Sequence, residues 1–201
     1  MASRRARCSG VTSNQMDAVD AVRAWLTAPP VPAATTRTDP GGWVATTYAG
    51  GSGHQAQSDS IRVLREKVEG RRALLAVEYL DTEGRFHSGV YGAVQTEAGT
   101  WAFSGGAGGA GEGEPARSQP WANLGGWGNR KFLCAGGRVH GDGVSRVRLV
   151  NPEGLSIEDQ VEHGIALLIG DMAFSDAYRV ELLDASDRLL ASHPWGGLPA
   201  A

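Results

Sequence analysis

The chain reads as a mainly β protein, an α+β module followed by a small antiparallel β-sandwich, and three observations predict this. Glycine supplies 29 of the 201 residues, roughly twice its usual share. Helix interiors disfavour glycine by about 1 kcal/mol relative to alanine, so the excess belongs to turns, bulges and tightly linked strands. Short runs such as "RRALLAVEYL" and "RFHSGVYGAVQ" alternate apolar and polar residues, the period of a strand with one buried face. Helical periodicity is confined to one segment.

That segment is Met16 to Thr27, where Val19, Val22 and Leu26 recur at spacings of three and four until "APPVP" ends the pattern. Residues 1–15 show no periodicity and read as a tail, with Arg4, Arg5 and Arg7 as a solvated charge run. Because the pattern switches on at Met16, that residue is a candidate initiator, an expectation that an N-terminal mass spectrum starting at Met1 or Ala2 would dismiss. Residues 28–42, rich in Pro, Thr and Gly, read as an irregular connection. Alternating runs then follow, with "DTEG" and "TEAG" as turns, and predict a meander of antiparallel strands through Phe103. The helix and meander form one module over 16–103. "SGGAGGAGEGEPARSQP" has the composition of a flexible coil and reads as a linker over 104–119.

Residues 120–195 predict the sandwich, with about six short strands in hairpins and a tail over 196–201. "PWANLGGWGNR" reads as a loop out of the linker and "KFLCAGGRV" as the first strand. "GIALLIG" has the continuous apolar character of a buried central strand. Three hairpins look alike, "VEYLDTEGRF", "VRLVNPEGLS" and "VELLDASDRL", but their uneven spacing argues against a solenoid or propeller. Shared turn physics accounts for the likeness, since Asp or Asn opens each turn and caps the local backbone with its side chain.

Several functions are disfavoured. A net charge of -3 lacks the basic footprint of a nucleic-acid binder. No apolar run reaches the roughly 18 to 20 residues of a spanning helix, and no apolar segment follows the N-terminal arginines as in a signal peptide. Cys8 and Cys134 form no framework, so a reducing, cytoplasmic setting is expected, without membrane attachment. "GAGGAG" satisfies a dinucleotide pattern only by letter, because "EGEP" follows it where a helix should begin. His54, His87, His140, His163 and His193 are dispersed, without the close pairs of typical zinc motifs, and "EDQVEH" reads as a solvated face, so no metal or cofactor is expected. "GGSGHQ" lacks the Gly-x-Ser-x-Gly elbow of a serine nucleophile, and Cys134, flanked by apolar residues, reads as a small hydrophobe.

The candidate binding residues are therefore Trp121, Trp127 and Trp195 with Asn129 and Arg130, where loop tryptophans either stack a ligand or plug the sandwich ends. An alternative site lies in the concavity of the N-terminal sheet, near Tyr48, His54, His87 and Tyr91.

"VLREKVEGRRALLAVEYLDTEGRFHSGVYGAVQTEAGTWAFSGG", with its Gly99-Thr100-Trp101 strand, resembles the curved-sheet half of NTF2-like or cystatin-like domains over about 60 residues. The C-terminal half resembles immunoglobulin-like or fibronectin type III-like sandwiches, without the two cysteines and intervening tryptophan of antibody-type domains. As a whole the chain looks like a bacterial protein of two modules. These resemblances imply a fold and no activity. The expected function is a non-enzymatic protein-binding or scaffold role, through a partner protein or self-association at sheet edges. The alternatives are a small-ligand or carbohydrate-binding module using the tryptophans, and an enzyme with its site in the N-terminal concavity.

Overall fold

A computed structural model describes residues 16–37, 44–110, 119–175 and 177–195; for 32–37, 44–50 and 110 it describes the backbone alone. The elements are α1 (Ala18–Thr27), β1 (Val31–Arg37), β2 (Val44–Gly50), a 3-10 turn at Ser58–Ser60, β3 (Arg62–Glu69), β4 (Arg72–Leu80), β5 (Phe86–Gln95), β6 (Trp101–Ala110), β7 (Trp121–Gly128), β8 (Leu133–His140), β9 (Arg146–Val150), β10 (Ser156–Gln160), β11 (Ile165–Gly170), β12 (Arg179–Leu183) and β13 (Leu189–Pro194). The predicted mainly β fold forms, with one α-helix among the described residues. The Asp17 carboxylate accepts the Asp20 amide and caps α1 where the apolar period begins.

Apart from the β1–β2 hairpin, the strands form three antiparallel sheets, ordered β3-β4-β5-β6, β11-β8-β7 and β10-β9-β12-β13. They stack as layers with α1 on the outside. Val22 and Leu26 of α1 cover Leu75, Val77, Tyr79 and Tyr91 on one face of the first sheet. Leu74, Ala76 and Val90 on its other face meet Cys134, Ile165, Leu167 and Ile169 of the second sheet. The far face of that second sheet, with Leu124, Leu133, Ala135 and Leu168, packs on Val147, Leu149, Val180 and Leu182 of the third. Successive side chains of β4 and β11 enter different cores, so β4, expected to alternate with one buried face, is buried on both and apolar almost throughout, as is β11.

This layering corrects several expectations. Residues 120–195 do form a two-sheet sandwich, but it has seven strands, and its inner sheet shares a core with the N-terminal sheet. The expected irregular connection includes Val31–Arg37, paired with Val44–Gly50. Ser104–Ala110, expected in the linker, continues β6 and pairs with β5. The glycines serve close approach there. A Cβ at Gly106 would meet the Tyr91 ring, and one at Gly92 or Gly105 would meet Trp127, so aromatic rings from elsewhere lie across the bare strand. Residues 111–118 of the expected linker, the tails at 1–15 and 196–201, and Cys8 lie outside the described residues.

Residues 121–128, expected in a loop, form β7, paired with β8 from Trp121↔His140 to Gly128↔Leu133. "GIALLIG" is buried as expected, yet β11 ends its sheet's strand order. Its outer side is closed by Asp159, whose carboxylate accepts the Leu167 amide and pairs with Arg65 and Lys67 of β3. Arg65 also bonds Glu162 and the Ile165 carbonyl. Part of the "EDQVEH" face is thus a buried clamp joining all three sheets.

The likeness of the hairpins is shared turn physics. At Asp81, Asn151 and Asp184 the opening residue's N–H donates to the carbonyl four residues on, and its side chain accepts that residue's N–H. The fourth turn position has positive φ each time, at Gly84, Gly154 and Asp187.

Candidate functional site

Two sites lie on opposite faces of β5, because alternation sends His87 toward the helix side and Ser88 into the gap between the first and second sheets. On the helix side, the loop Gly51–Gln57 is pinned from two directions. The Ala56 amide donates to the Leu26 carbonyl at the end of α1, while Gln57 donates to Leu80 and Thr82 to Gln55. The loop thereby lays His54 beside the β4–β5 turn, where the His54 and His87 rings are 4.6 Å apart between centroids.

Asp81 anchors this cluster at 1% exposure, beside His87 at 2%. One carboxylate oxygen accepts the backbone amides of Glu83 and Arg85, each at 2.9 Å. The other accepts Arg85 Nε and His87 Nε2, also at 2.9 Å, and lies 3.9 Å from His54 Nδ1. Burial alone would push the Asp81 carboxyl up. The Arg85 amide, His87, the Arg85 guanidinium and the Glu83 amide outweigh that and hold it well below the usual carboxylate range. The same pairing pushes the Arg85 guanidinium up.

Tyr79 stacks on His87 at 5.1 Å between centroids, and its hydroxyl lies 3.4 Å from that of Tyr91. Burial, then the neighbouring Tyr79, push the Tyr91 hydroxyl up. Of the expected concavity residues, His54 and His87 come together and Tyr91 joins them through Tyr79. Tyr48 is placed by its backbone alone, opposite Pro32 in the β1–β2 hairpin. Asp81, Arg85 and Tyr79 were not singled out from the sequence. The signal available was alternation, which puts Tyr79 on the Val77 face of one strand and His87 with Tyr91 on the next.

On the other face of β5 lies a cavity of about 830 Å³ between the first two sheets. Leu64, Val90 and Ile165 give it an apolar floor, and Ser88, Asn123, Arg138 and His140 bring polar groups to it. Arg138 is ion-paired with Glu78 of β4, which ties the two sheets together at this cavity.

The tryptophans are packed. Trp121 is 6% exposed and stacks on His140 at 5.2 Å. Trp127 covers Gly92 and Gly105 between the sheets. Trp195 meets Phe174 and Tyr178 edge-on and donates from Nε1 to the Leu124 carbonyl. Asn129 caps its own turn by accepting the amides of Lys131 and Phe132, and Arg130 is exposed beside it. Trp195 packs in the sandwich core, Trp127 lies between the first two sheets, and Trp121 is buried against His140, so packing accounts for all three rings. Cys134 is buried and its thiol is pushed up to about 11, first by that burial, which fits a packing role.

Among the described residues no helix is long and apolar enough to cross a membrane. The chain matches no protein-family model, no curated protein and no solved structure.

Proposed function

We propose that the protein is a binding protein that holds a small, mainly apolar ligand with a polar end in the cavity between its first two sheets. The observation that carries this reading is the cavity itself, whose volume of about 830 Å³ falls in the range of small-molecule sites, with few polar groups over an apolar floor. The paired charges of Arg138 and Glu78 offer hydrogen bonds to a polar end without a net charge to attract a strong ion. The reading keeps the ligand-binding alternative drawn from the sequence and moves it from the tryptophans to the gap they help to seal.

The test is calorimetric titration with 1-decanol and with N-phenyl-1-naphthylamine, both uncharged, on the wild type and on Gly109→Phe. Gly109 lines the cavity, and a Cβ there meets nothing within 4 Å, so the new ring fills the space without displacing the sheets. Saturable binding that Gly109→Phe abolishes supports the reading. Failure of both probes to bind, in a protein that sediments as a dimer, returns the function to association through sheet edges such as β13, where Leu189 is exposed.

A further inference from the structure

We propose that His54, Asp81 and His87 form a site for one divalent transition-metal ion of the zinc(II) type, at the position that the Arg85 guanidinium now takes. One atom from each residue, His54 Nδ1, an Asp81 carboxylate oxygen and His87 Nε2, lies within 4.8 Å of the other two. Ligand atoms bound at about 2.0 to 2.2 Å in a tetrahedral site sit roughly 3.3 Å from one another. The observed separations from the Asp81 oxygen, 2.9 Å to His87 and 3.9 Å to His54, bracket that spacing. His54 is half exposed on its loop, so its ring can make the remaining adjustment.

The protonation pattern agrees. A guanidinium only donates, and Arg85 Nη2 lies 3.3 Å from His54 Nδ1, so Nδ1 presents a lone pair to the cluster. One oxygen of the carboxylate is fixed by two backbone amides, the outer support that orients a metal-binding carboxylate. The His87 ring is held flat against Tyr79. When the ion enters, Arg85 leaves the Asp81 oxygen, where its partly exposed side chain keeps Glu83 as a partner at 2.9 Å. The His87 ring proton moves from Nε2 to Nδ1, so the ligand set is two neutral imidazoles and one carboxylate. Two histidines and one carboxylate leave coordination positions open, the composition of many zinc and non-haem iron centres.

The experiment is titration of cobalt(II) into the full chain after dialysis against chelator, followed by visible d–d absorption and calorimetry. One saturable equivalent is expected in the wild type. His54→Ala, at an exposed position, should weaken it at least about tenfold while the metal-free melting temperature stays unchanged. Arg85→Ala should bind more tightly, because no guanidinium competes. The proposal is overturned by absence of a saturable band in both the wild type and Arg85→Ala, by equal affinity in His54→Ala, or by weaker binding in Arg85→Ala.

Discussion

The β4–β5 and β12–β13 turns are built alike and do different things. Asp81 and Asp184 each accept the amides two and four residues on, and each takes the Nε of the arginine four residues on, Arg85 or Arg188, at 2.9 or 3.0 Å. Around Asp184 the remaining partner is the Ser186 hydroxyl, and the carboxylate keeps some access to water. Around Asp81 that place is taken by His87, with His54 on the far side, and the carboxylate is buried. A turn of this kind therefore needs an opening Asp or Asn but no histidine. The two imidazoles are an addition to the motif, and that is why the cluster at Asp81 reads as a site rather than as a turn.

Replacement of the two aspartates tests this contrast most strongly. Asp81→Ala strands the buried His87 ring without its partner, whereas water can satisfy the groups left by Asp184→Ala. Thermal melts should show Asp81→Ala with a clearly larger fall in midpoint; equal falls would remove the distinction between the turns.

Acid separates them less sharply. Asp184 is held at about 2, first by the Ser186 hydroxyl and then by the amides of Arg188 and Ser186, and Asp81 is also held low. An unfolded aspartate titrates near 3.9, so between the folded and unfolded values the unfolded chain binds more protons. The stability from both carboxylates is present above about pH 4 and is lost as pH falls through their folded values. Urea midpoints measured from pH 5 to pH 2 should decline in the wild type and decline less in Asp81→Asn and Asp184→Asn. An unchanged slope in both variants would contradict these assignments.

The smallest effect concerns the backbone. Gly84 has φ of 81° and open space where a Cβ would point, so Gly84→Ala isolates the left-handed conformation and should cost about 1 kcal/mol. Asp187 holds φ of 66° without being glycine and pairs with Arg146 at 2.5 Å. Asp187→Gly relaxes the backbone but gives up an exposed pair, leaving a net change within about 0.5 kcal/mol. Chemical denaturation of the two variants compares these terms, and a large loss in Asp187→Gly would mean that the ion pair dominates the turn.

Much of the fold was legible because it follows from local rules. The spacing of Val19, Val22 and Leu26 marked the helix, and an opening Asp or Asn able to cap its own backbone marked three hairpins. Cys134 read correctly as a packing residue. The strand at 104–110 was illegible because β6 carries few large side chains of its own; the rings that cover it come from Tyr91 and Trp127, which no local pattern connects to it. Trp121–Gly128 read as a loop because Gly125, Gly126 and Gly128 break its strand alternation. At the site, His54, His87 and Tyr91 were expected together, but Asp81 looked like any turn residue that favours solubility.

By itself the sequence determined the elements whose cause is local: one capped helix, the alternating strands, and turns set by a side chain bonding its own backbone. Only the tertiary structure decided that the two halves share a core, that Arg65 and Asp159 clamp three sheets, and that histidines from a loop and a strand meet one turn carboxylate. Those outcomes depend on which sheet faces which, and the apolar burial that selects a stacking is non-directional. Strand periodicity fixes which face a residue takes and leaves open what lies opposite.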